Sequence, residues 1–493
     1  MTQAASPTFR VLLSNSASQI AGRLLLSMSR LAVAMLIVRL AGADQFGEYA
    51  LTLTLLAVVE WLLDFGQTDL AVRDICRVGG SEGAILGGLA WLKLVQVLLL
   101  MPVLAVGLYL TGYPEQMIRA AAIGSLGLPF LGGVLIFRTR FRAHMRVGKD
   151  VLAELAGVAA MLPATWLACS TDAGIEGLIG AYTLGRIVFF FVGLVLLRSL
   201  PAVSIAKGAK AAGRILSREA LPLGLIGLMV GVYDGLAPVV LSKLSDLHEV
   251  AKYAGATRYA FLVIIIVQAL NTAFFPLLSH AWPASPRRLT ALQQMALEAS
   301  VMLAVGMACG LYGAADFLMG LLGPSMRDGA EVLRFMCGII MVRAVSTSMS
   351  PLIWVAGRQS RAAWLTVTSI IMEVAAMWEL VPRFGAMGVV GSCMAVELLT
   401  GAVAISWIAQ RASGAWLRWS VPLRLMLCGG VAIVASRGLP FTGSLLSGVV
   451  CGLTYLALAF ATGGISVMRI QSFVDEMRGL QTGIMIQTGG GER

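Results

Sequence analysis

The sequence predicts an all-α integral membrane protein with about 14 transmembrane helices and almost no mass outside the bilayer. Hydrophobic residues make up 58% of the 493 residues and charged residues only 13%, whereas ordinary soluble domains are about 25% charged. Too few polar groups remain to cover a water-soluble globule, and a bilayer removes the need to cover one. The 55 glycines indicate the same class, because glycine is enriched where helices pack closely in lipid.

Fourteen apolar stretches are each long enough to cross a hydrocarbon core of about 30 Å at about 1.5 Å per residue. The predicted spans cover residues 13–40, 48–69, 84–111, 117–138, 151–170, 175–198, 220–242, 254–279, 294–323, 330–355, 362–382, 386–409, 420–437 and 442–463. Several contain proline, which a membrane helix tolerates where neighbouring helices or cavity water satisfy the freed backbone groups. We therefore expect kinked helices.

The distribution of Lys and Arg predicts the orientation of the chain. The termini and the even-numbered loops together hold more than twice as many of these residues as the odd-numbered loops, and positively charged loops stay on the cytoplasmic side. Both termini are therefore expected in the cytoplasm. The longest loop, residues 199–219, is too short for a soluble catalytic domain, so we do not expect an enzyme.

Other classes of function have little support in the sequence. The net charge of +11 follows from the basic loops, and no basic patch with aromatic or motif support indicates nucleic-acid binding. The seven cysteines are far apart and mostly lie in apolar stretches, without the short spacings typical of metal sites. Neither a metal nor a cofactor is predicted.

Two short self-similarities indicate an internal repeat. Residues 45–50, QFGEYA, match residues 249–254, EVAKYA, at an offset of 204, and residues 174–180 match residues 385–391 at an offset of 211. Together they pair spans 1–6 with spans 7–12, and because six is an even number both copies share one orientation in the membrane. We expect two pseudo-symmetric six-helix lobes followed by two extra C-terminal spans.

The repeat sets the predicted domain boundaries. They are an N-terminal lobe at 1–198, a cytoplasmic inter-lobe linker at 199–219, a C-terminal lobe at 220–410, the appended spans 13 and 14 at 411–463, and a cytoplasmic interfacial helix and tail at 464–493. Apolar and charged residues in the last segment are spaced as in helices that lie on a membrane surface. Two parallel lobes around a midplane site are a common transporter architecture, so the repeat favours movement of a substrate.

Several short motifs follow one another along spans 1 to 12. They lie at residues 38–42, 46–50, 64–66, 71–73, 234, 253–258, 276 and 384–388. In this order and spacing they resemble the bacterial polysaccharide (O-antigen and exopolysaccharide) flippase family of the multidrug/oligosaccharidyl-lipid/polysaccharide exporter superfamily. One departure is Ala41-Gly42, where the family usually has Leu-Gly.

The resemblance implies a flippase that moves an undecaprenyl-pyrophosphate-linked oligosaccharide from the cytoplasmic to the outer leaflet of the bacterial inner membrane by alternating access. The polymer made from it would be an O-antigen of lipopolysaccharide, a capsule or an exopolysaccharide. The implied partners are the lipid-linked oligosaccharide, membrane lipids and other polysaccharide export proteins. Two alternatives remain: a proton- or sodium-coupled multidrug-type exporter on the same scaffold, and a membrane glycan polymerase, for which the sequence offers less support.

Charged residues inside the spans indicate the candidate site, because a charge at membrane depth costs about 2.5–3.5 kcal/mol on insertion scales. Arg23 and Arg30 lie about two turns apart on one polar face of span 1. They are the best candidates for binding the pyrophosphate head group, because guanidinium groups bind phosphate oxygens bidentately. The alternative is that they only pair with Glu60 or Asp64 of span 2.

Arg186 and Glu397 occupy equivalent positions in the two repeat copies, each twelve residues after a matched glycine, Gly174 or Gly385. If both face the lobe interface, they could pair there in one conformation or contact sugar hydroxyls. The alternative is that each pairs separately within its own lobe. Arg186 is counted among the candidate head-group ligands.

A second polar set is expected in the C-terminal lobe. It includes Arg343 of span 10, a further candidate head-group ligand, and one side of span 7 with three glycines, which could equally serve close helix packing. Intramembrane carboxylates often bind protons or cations. The possible cavity or ion-coupling residues are Glu60, Asp64, Asp234, Glu373 and Glu397.

Overall fold

The structure, a computed structural model, describes residues 9–78, 82–200, 209–282, 286–355, 359–409, 417–438 and 443–464. These residues form α1 (Phe9–Ala41), α2 (Ala43–Asp64), α3 (Gln67–Val78), α4 (Glu82–Leu110), α5 (Glu115–Ser125), α6 (Leu128–Ala143), α7 (Val147–Ser170), α8 (Gly174–Leu197), α9 (Ala209–Leu244), α10 (Leu247–Ala281), α11 (Pro286–Gly313), α12 (Ala315–Leu322), α13 (Ala330–Val355), α14 (Gln359–Phe384), α15 (Ala386–Ala409), α16 (Ser420–Arg437) and α17 (Leu445–Ala461). A 3₁₀ turn, Pro324–Gly329, joins α12 to α13.

The predicted α-helical membrane fold is confirmed. Within the described residues, 13 helical segments are long and apolar enough to cross a membrane, and α17 is an apolar helix of 17 residues. These 13 segments and α17 together agree with the expected total of about fourteen spans. The chain is therefore a multi-pass membrane protein.

Three of the predicted spans are broken helices. Span 2 is divided between α2 and α3, span 4 between α5 and α6, and span 9 between α11 and α12. The first break lies at Phe65 and Gly66, which both have positive φ, 43° and 71°. Phe65 is a bulky residue in a left-handed conformation that such residues rarely adopt.

Lys93 of α4 supplies hydrogen bonds to the broken end of α2. Its Nζ donates to the carbonyl oxygens of Leu63 at 2.5 Å and Asp64 at 3.3 Å, and to Oε1 of Gln67 at 2.9 Å. Carbonyl groups at a helix end inside a membrane need such partners. The buried Lys93 therefore has a structural role at this break.

The two halves of the chain, helices α1–α8 and α9–α15, share two features at equivalent positions. α2 begins at Ala43 and α10 at Leu247, which preserves the sequence offset of 204. Gly174, at the start of α8, and Gly385, just before α15, have φ values of 60° and 54°. Glycine adopts such positive values without steric cost. These matches support the predicted internal repeat.

Helix α9 packs along α2 and α4 and so joins the two halves. It begins at Ala209, inside the segment predicted as a linker. A Cβ atom on Gly224 would lie 2.2 Å from the ring of Phe65, and one on Gly231 would lie 2.8 Å from Trp61. The glycine side of span 7 therefore serves close helix packing, which is one of its two predicted roles.

Helices α16 and α17 pack against each other and against α11. Their buried residues form a separate apolar core with α11 that includes Val305, Leu425 and Tyr455. This arrangement agrees with two spans appended to a six-helix lobe, while the domain boundaries themselves stay a prediction. The interfacial helix predicted within 464–493 lies outside the described residues.

Candidate functional site

A cavity of about 320 Å³, the central cavity, lies mainly within the N-terminal half. Its walls come from α1, α2, α7 and α8, and α10 of the other half contributes one residue, Arg258. Cavities of this size are typical of small-molecule sites. Its charged and tyrosine lining residues are Arg30, Tyr49, Glu60, Glu154, Tyr182, Arg186 and Arg258.

A second cavity of about 280 Å³ continues from the central cavity, with which it shares Leu26, Arg30 and Glu154. It reaches Arg142 near the end of α6 and Val147 at the start of α7. The connection between these two helices is an even-numbered loop, on the predicted cytoplasmic side. The two cavities together, here called the arginine path, therefore lead from the interior of the bundle to that side.

Arg23, Arg30 and Arg258 line the arginine path without a carboxylate partner. Among the described residues, no acidic oxygen lies within 4.0 Å of their guanidinium nitrogens. Arg23 and Arg30 are exposed, and the Nε of Arg258 is buried and has no hydrogen-bond partner in the described chain. The alternative expected for Arg23 and Arg30, pairing with Glu60 or Asp64, therefore does not occur in this part of the chain.

Sequence reasoning did not select Arg258 as a site residue. The hydropathy pattern predicts that span 8 begins at residue 254, which places Arg258 near the membrane surface. Helix α10 begins at Leu247 instead, so Arg258 lies eleven residues into the helix, a rise of about 16 Å. His248 and Lys252 in the first turns lower the local hydropathy and hide the start of the helix. Counting from the Asp246 helix cap would have revealed the depth of Arg258.

Arg186 forms a salt bridge with Glu60 in the wall of the central cavity, with 2.6 Å between Nη2 and Oε2. The hydroxyl of Tyr182 donates to Oε1 of Glu60 at 2.7 Å and accepts a hydrogen bond from Nε of Arg186 at 3.1 Å. The positive charge of Arg186 is thus already balanced. Arg186 therefore lines the central cavity as one member of a neutral ion pair with Glu60.

Arg343 and Glu397 form a pair in the C-terminal half, with 3.7 Å between Nε and Oε2. The guanidinium group of Arg343 also lies 5.6 Å from the ring centre of Tyr233. Arg186 and Glu397 are thus found in separate pairs, which is one of their two expected arrangements. Neither Arg343 nor Glu397 lines the arginine path.

Glu373 and Asp64, two further candidate acids, do not line the arginine path. Glu373 is 1% exposed and accepts a hydrogen bond from Sγ of Cys393 at 2.8 Å. Asp64 accepts a hydrogen bond from Thr68 and lies 3.9 Å from Nζ of Lys93. The side chain of Asp234 lies outside the described residues. Ion coupling through these groups stays a prediction.

Contacts between the halves close the end of the bundle that carries the odd-numbered loops, here called the odd-loop end. A Cβ atom on Gly47 of α2 would lie 2.2 Å from the carbonyl oxygen of Leu247 of α10, so only glycine permits this backbone approach. Nearby, Oδ1 of Asp44 lies 3.5 Å from Nδ1 of His248. These contacts bring together the equivalent helix starts of the two repeats.

Two more contacts between the halves lie at the odd-loop end. Nη2 of Arg39 donates to the carbonyl oxygen of Leu321 at 2.8 Å. Nζ of Lys243 donates to the carbonyl oxygen of Thr111 at 2.7 Å and lies 3.7 Å from the ring centre of Tyr113. The arginine path is therefore accessible toward one end of the bundle and closed toward the other.

Residues 12–282, more than half of the chain, match the model of the family described as "Polysaccharide biosynthesis protein". No curated protein matches the chain. Among solved structures, the lipid II flippase MurJ in an inward closed conformation is similar with a TM-score of 0.73 at 11% identity, over 91% of this chain and 98% of that one.

Two further solved structures have the same fold. An inward-facing multidrug resistance MATE family transporter of the MOP superfamily has a TM-score of 0.66 at 15% identity, over 78% of this chain and 94% of its own. A MOP superfamily transporter from Pyrococcus furiosus has a TM-score of 0.62 at 15% identity, over 82% and 95%.

The fold is that of the transporters of the MOP superfamily. The chain belongs to the polysaccharide biosynthesis protein family. The family resemblance carried by the short motifs of spans 1 to 12 is thereby confirmed.

Proposed function

We propose that this protein is a flippase for an undecaprenyl-pyrophosphate-linked oligosaccharide, which it moves from the cytoplasmic to the outer leaflet of the bacterial inner membrane. The observation that carries the proposal is a set of three arginines, Arg23, Arg30 and Arg258, that line one cavity system and have no carboxylate partner among the described residues. Both phosphates of a pyrophosphate diester are anionic, and guanidinium groups bind such oxygens in pairs. The exported glycan would be an O-antigen, a capsule or an exopolysaccharide.

The balance of charges along the arginine path favours an anionic cargo. Six arginines and three carboxylates line the two cavities. The carboxylates are already paired: Glu60 binds Arg186, while Asp150 and Glu154 lie 2.9 and 3.2 Å from nitrogens of Arg138. The unpaired positive charge inside the bundle is costly unless water or an anion compensates it, and it attracts anions electrostatically.

The contacts at the two ends of the bundle support alternating access. In the proposed orientation, with both termini in the cytoplasm, the arginine path opens to the cytoplasmic side and the odd-loop end faces outward. A head group bound on the path would reach the outer side when the contacts of Gly47 and Asp44 with α10 separate and the other end closes. The lipid tail would remain in the bilayer.

Charge reversal of two arginines tests the proposal in cells. The double variant Arg23→Glu and Arg30→Glu is expected to abolish export of the surface glycan while the protein accumulates normally in the membrane. Arg383→Glu is the matched control, because Arg383 is 66% exposed at the odd-loop end of α14 and lines neither cavity. Normal glycan export by the double variant would contradict the head-group assignment.

A proton- or sodium-coupled exporter of small amphiphiles is the second candidate. The likeness in fold to a MATE family transporter and the buried carboxylate of Glu373 favour it. Deletion of the gene would then raise drug sensitivity and leave the surface glycan intact. The three unpaired arginines argue against a cationic drug, since like charges repel it from the path.

A further inference from the structure

A third cavity, of about 420 Å³, lies at the odd-loop end between the ends of α11, α13, α16 and α17. Its lining includes Tyr312, Glu331, Arg334 and Arg437, and it shares no residue with the arginine path. We call it the appendage cavity, because α16 and α17 supply one wall. Ligand binding in the appendage cavity is therefore separate from the proposed transport function.

The appendage cavity presents both signs of charge. Arg334 pairs with Asp316 and Glu331, whose side chains are 43% and 59% exposed. Arg437 is exposed, and no carboxylate among the described residues lies within 4.0 Å of it. Its Nε donates instead to the hydroxyl of Tyr312 at 2.7 Å, and its guanidinium group lies 5.6 Å from that ring centre. The guanidinium group of Arg437 is thus free of a carboxylate among the described residues, and Glu331, which shares Arg334 with Asp316, is exposed enough to accept a further contact from a ligand.

The charge balance of this cavity selects the chemistry of its ligand. Arg334, Arg437 and Glu331 line the cavity. Asp316 lies outside the lining but pairs with Arg334, so the cavity and its immediate surroundings are neutral overall. A purely anionic ligand would gain from Arg437 and be repelled by the two carboxylates. A ligand that carries a phosphate and a primary ammonium group satisfies both, because the guanidinium donates to phosphate and the ammonium donates to carboxylate.

A lipid-facing stripe on α16 leads to Arg437. Leu423, Leu427, Val431 and Val434 are 55%, 70%, 56% and 71% exposed, and their spacing places them on one face of the helix. From Leu423 to Val434 the helix rises about 16 Å, close to half of a hydrocarbon core of about 30 Å. A phospholipid chain lying on this stripe within one leaflet would bring its phosphate to the level of Arg437.

We propose that the appendage cavity binds the head group of a zwitterionic aminophospholipid, of the phosphatidylethanolamine class, with its phosphate on Arg437 and its ammonium group on Glu331. The acyl chains lie along the exposed stripe of α16. The bound lipid links α16 and α17 to α13 and so fastens the appended helices to the C-terminal half.

Lipid titration of the purified full-length protein, followed by native mass spectrometry, tests this site. Phosphatidylethanolamine is expected to bind about tenfold more tightly than phosphatidylglycerol or phosphatidylcholine, because each of the latter lacks one charge-assisted contact. Arg437→Gln and Glu331→Gln should each weaken phosphatidylethanolamine binding about tenfold. Arg383→Gln and Glu379→Gln are the controls. They alter an exposed ion pair on α14, at the same odd-loop end of the bundle, and should leave phosphatidylethanolamine binding unchanged.

A further variant and further ligands complete this binding experiment. Arg437→Lys retains the charge but loses the bidentate guanidinium geometry. It should bind phosphatidylethanolamine more weakly than the unaltered protein and more tightly than Arg437→Gln, and it serves if Arg437→Gln does not fold. Equal binding of the three phospholipids, tighter binding of phosphatidylglycerol or of a polyprenyl phosphate, or unchanged binding in Glu331→Gln would overturn the proposal. Soluble glycerophosphoethanolamine that binds as tightly as the intact lipid would also overturn it, since the ligand would then come from solution.

Discussion

Arg30 on α1 and Arg258 on α10 lie eleven residues from the odd-loop end of their helices, one in each half of the chain, and line the same cavity. Both therefore lie about 16 Å from that end along the helix axis. Both guanidinium groups are positively charged, and like charges that line one cavity repel each other. An anion between them would remove this repulsion and connect the two halves.

Replacement of either arginine should weaken binding of the pyrophosphate head group. Arg30→Gln and Arg258→Gln are each expected to lower the affinity for a soluble short-chain polyprenyl pyrophosphate by about ten- to a hundredfold, because each removes a charge-assisted contact. Binding to purified protein, measured calorimetrically, checks the prediction. The matched control is Arg119→Gln at the odd-loop end, whose guanidinium group pairs with Glu115 and Glu176; a loss of similar size in this control would indicate a nonspecific effect.

Two glycines of α9 should respond differently to the same substitution. Gly224→Ala is expected to lower the free energy of unfolding by about 1–3 kcal/mol, because the added Cβ would lie 2.2 Å from the ring of Phe65 and force the two halves apart. Gly227→Ala is the control, since its Cβ would lie 3.8 Å from Trp61, an ordinary contact. Thermal unfolding of both variants in detergent checks the difference, and equal stability would contradict this packing.

The number of spans and the repeat could be predicted from the sequence, because hydropathy and glycine spacing are local properties. The three helix breaks could not. A hydropathy window averages over Phe65 and Gly66, and the hydrogen bonds that stabilise this break come from Lys93, some thirty residues along the chain. The helical start of α9 at Ala209 was hidden by the basic residues that precede span 7.

The site was predictable only in part for a similar reason. The polar face of span 1 identified Arg23 and Arg30 as residues that must avoid lipid. The partner of Arg186 was not readable, because Glu60 is 126 residues away and lipid-facing and protein-facing positions are both apolar in a membrane helix. Arg258 was missed because the predicted start of span 8 was seven residues too late.

Loss of the carboxylate at Glu60 should destabilise the wall of the central cavity. Glu60→Gln leaves Arg186 without its ion-pair partner, and the free energy of unfolding is expected to fall by about 1–3 kcal/mol, since both side chains are only 21% exposed. The double variant with Arg186→Gln should regain part of this loss. Glu379→Gln breaks an exposed pair and should change stability by less than about 0.5 kcal/mol; equal effects of Glu60→Gln and Glu379→Gln in thermal unfolding would refute the assigned role.

A cross-link between the halves at the odd-loop end should stop transport. Asp44→Cys and His248→Cys, joined by a short bifunctional methanethiosulfonate that forms a disulfide with each cysteine and releases sulfinate, are expected to block glycan export until reduction cleaves these disulfides, because the two residues belong to opposite halves. The control link joins Arg119→Cys and Glu176→Cys, which lie at the same end within one half. Surface glycan measured before and after reduction distinguishes the two, and full export by the cross-linked Asp44 and His248 variant would be inconsistent with alternating access.

The most direct test of the proposed function is movement of a lipid-linked oligosaccharide across vesicles that contain only this protein. The unaltered protein is expected to bring the oligosaccharide to the opposite leaflet, where a membrane-impermeant lectin binds it. The folded double variant Arg30→Glu and Arg258→Glu should leave it in the original leaflet. Equal movement in both sets of vesicles, or none with the unaltered protein while it transports a cationic drug, would show that the protein is not a flippase for this lipid.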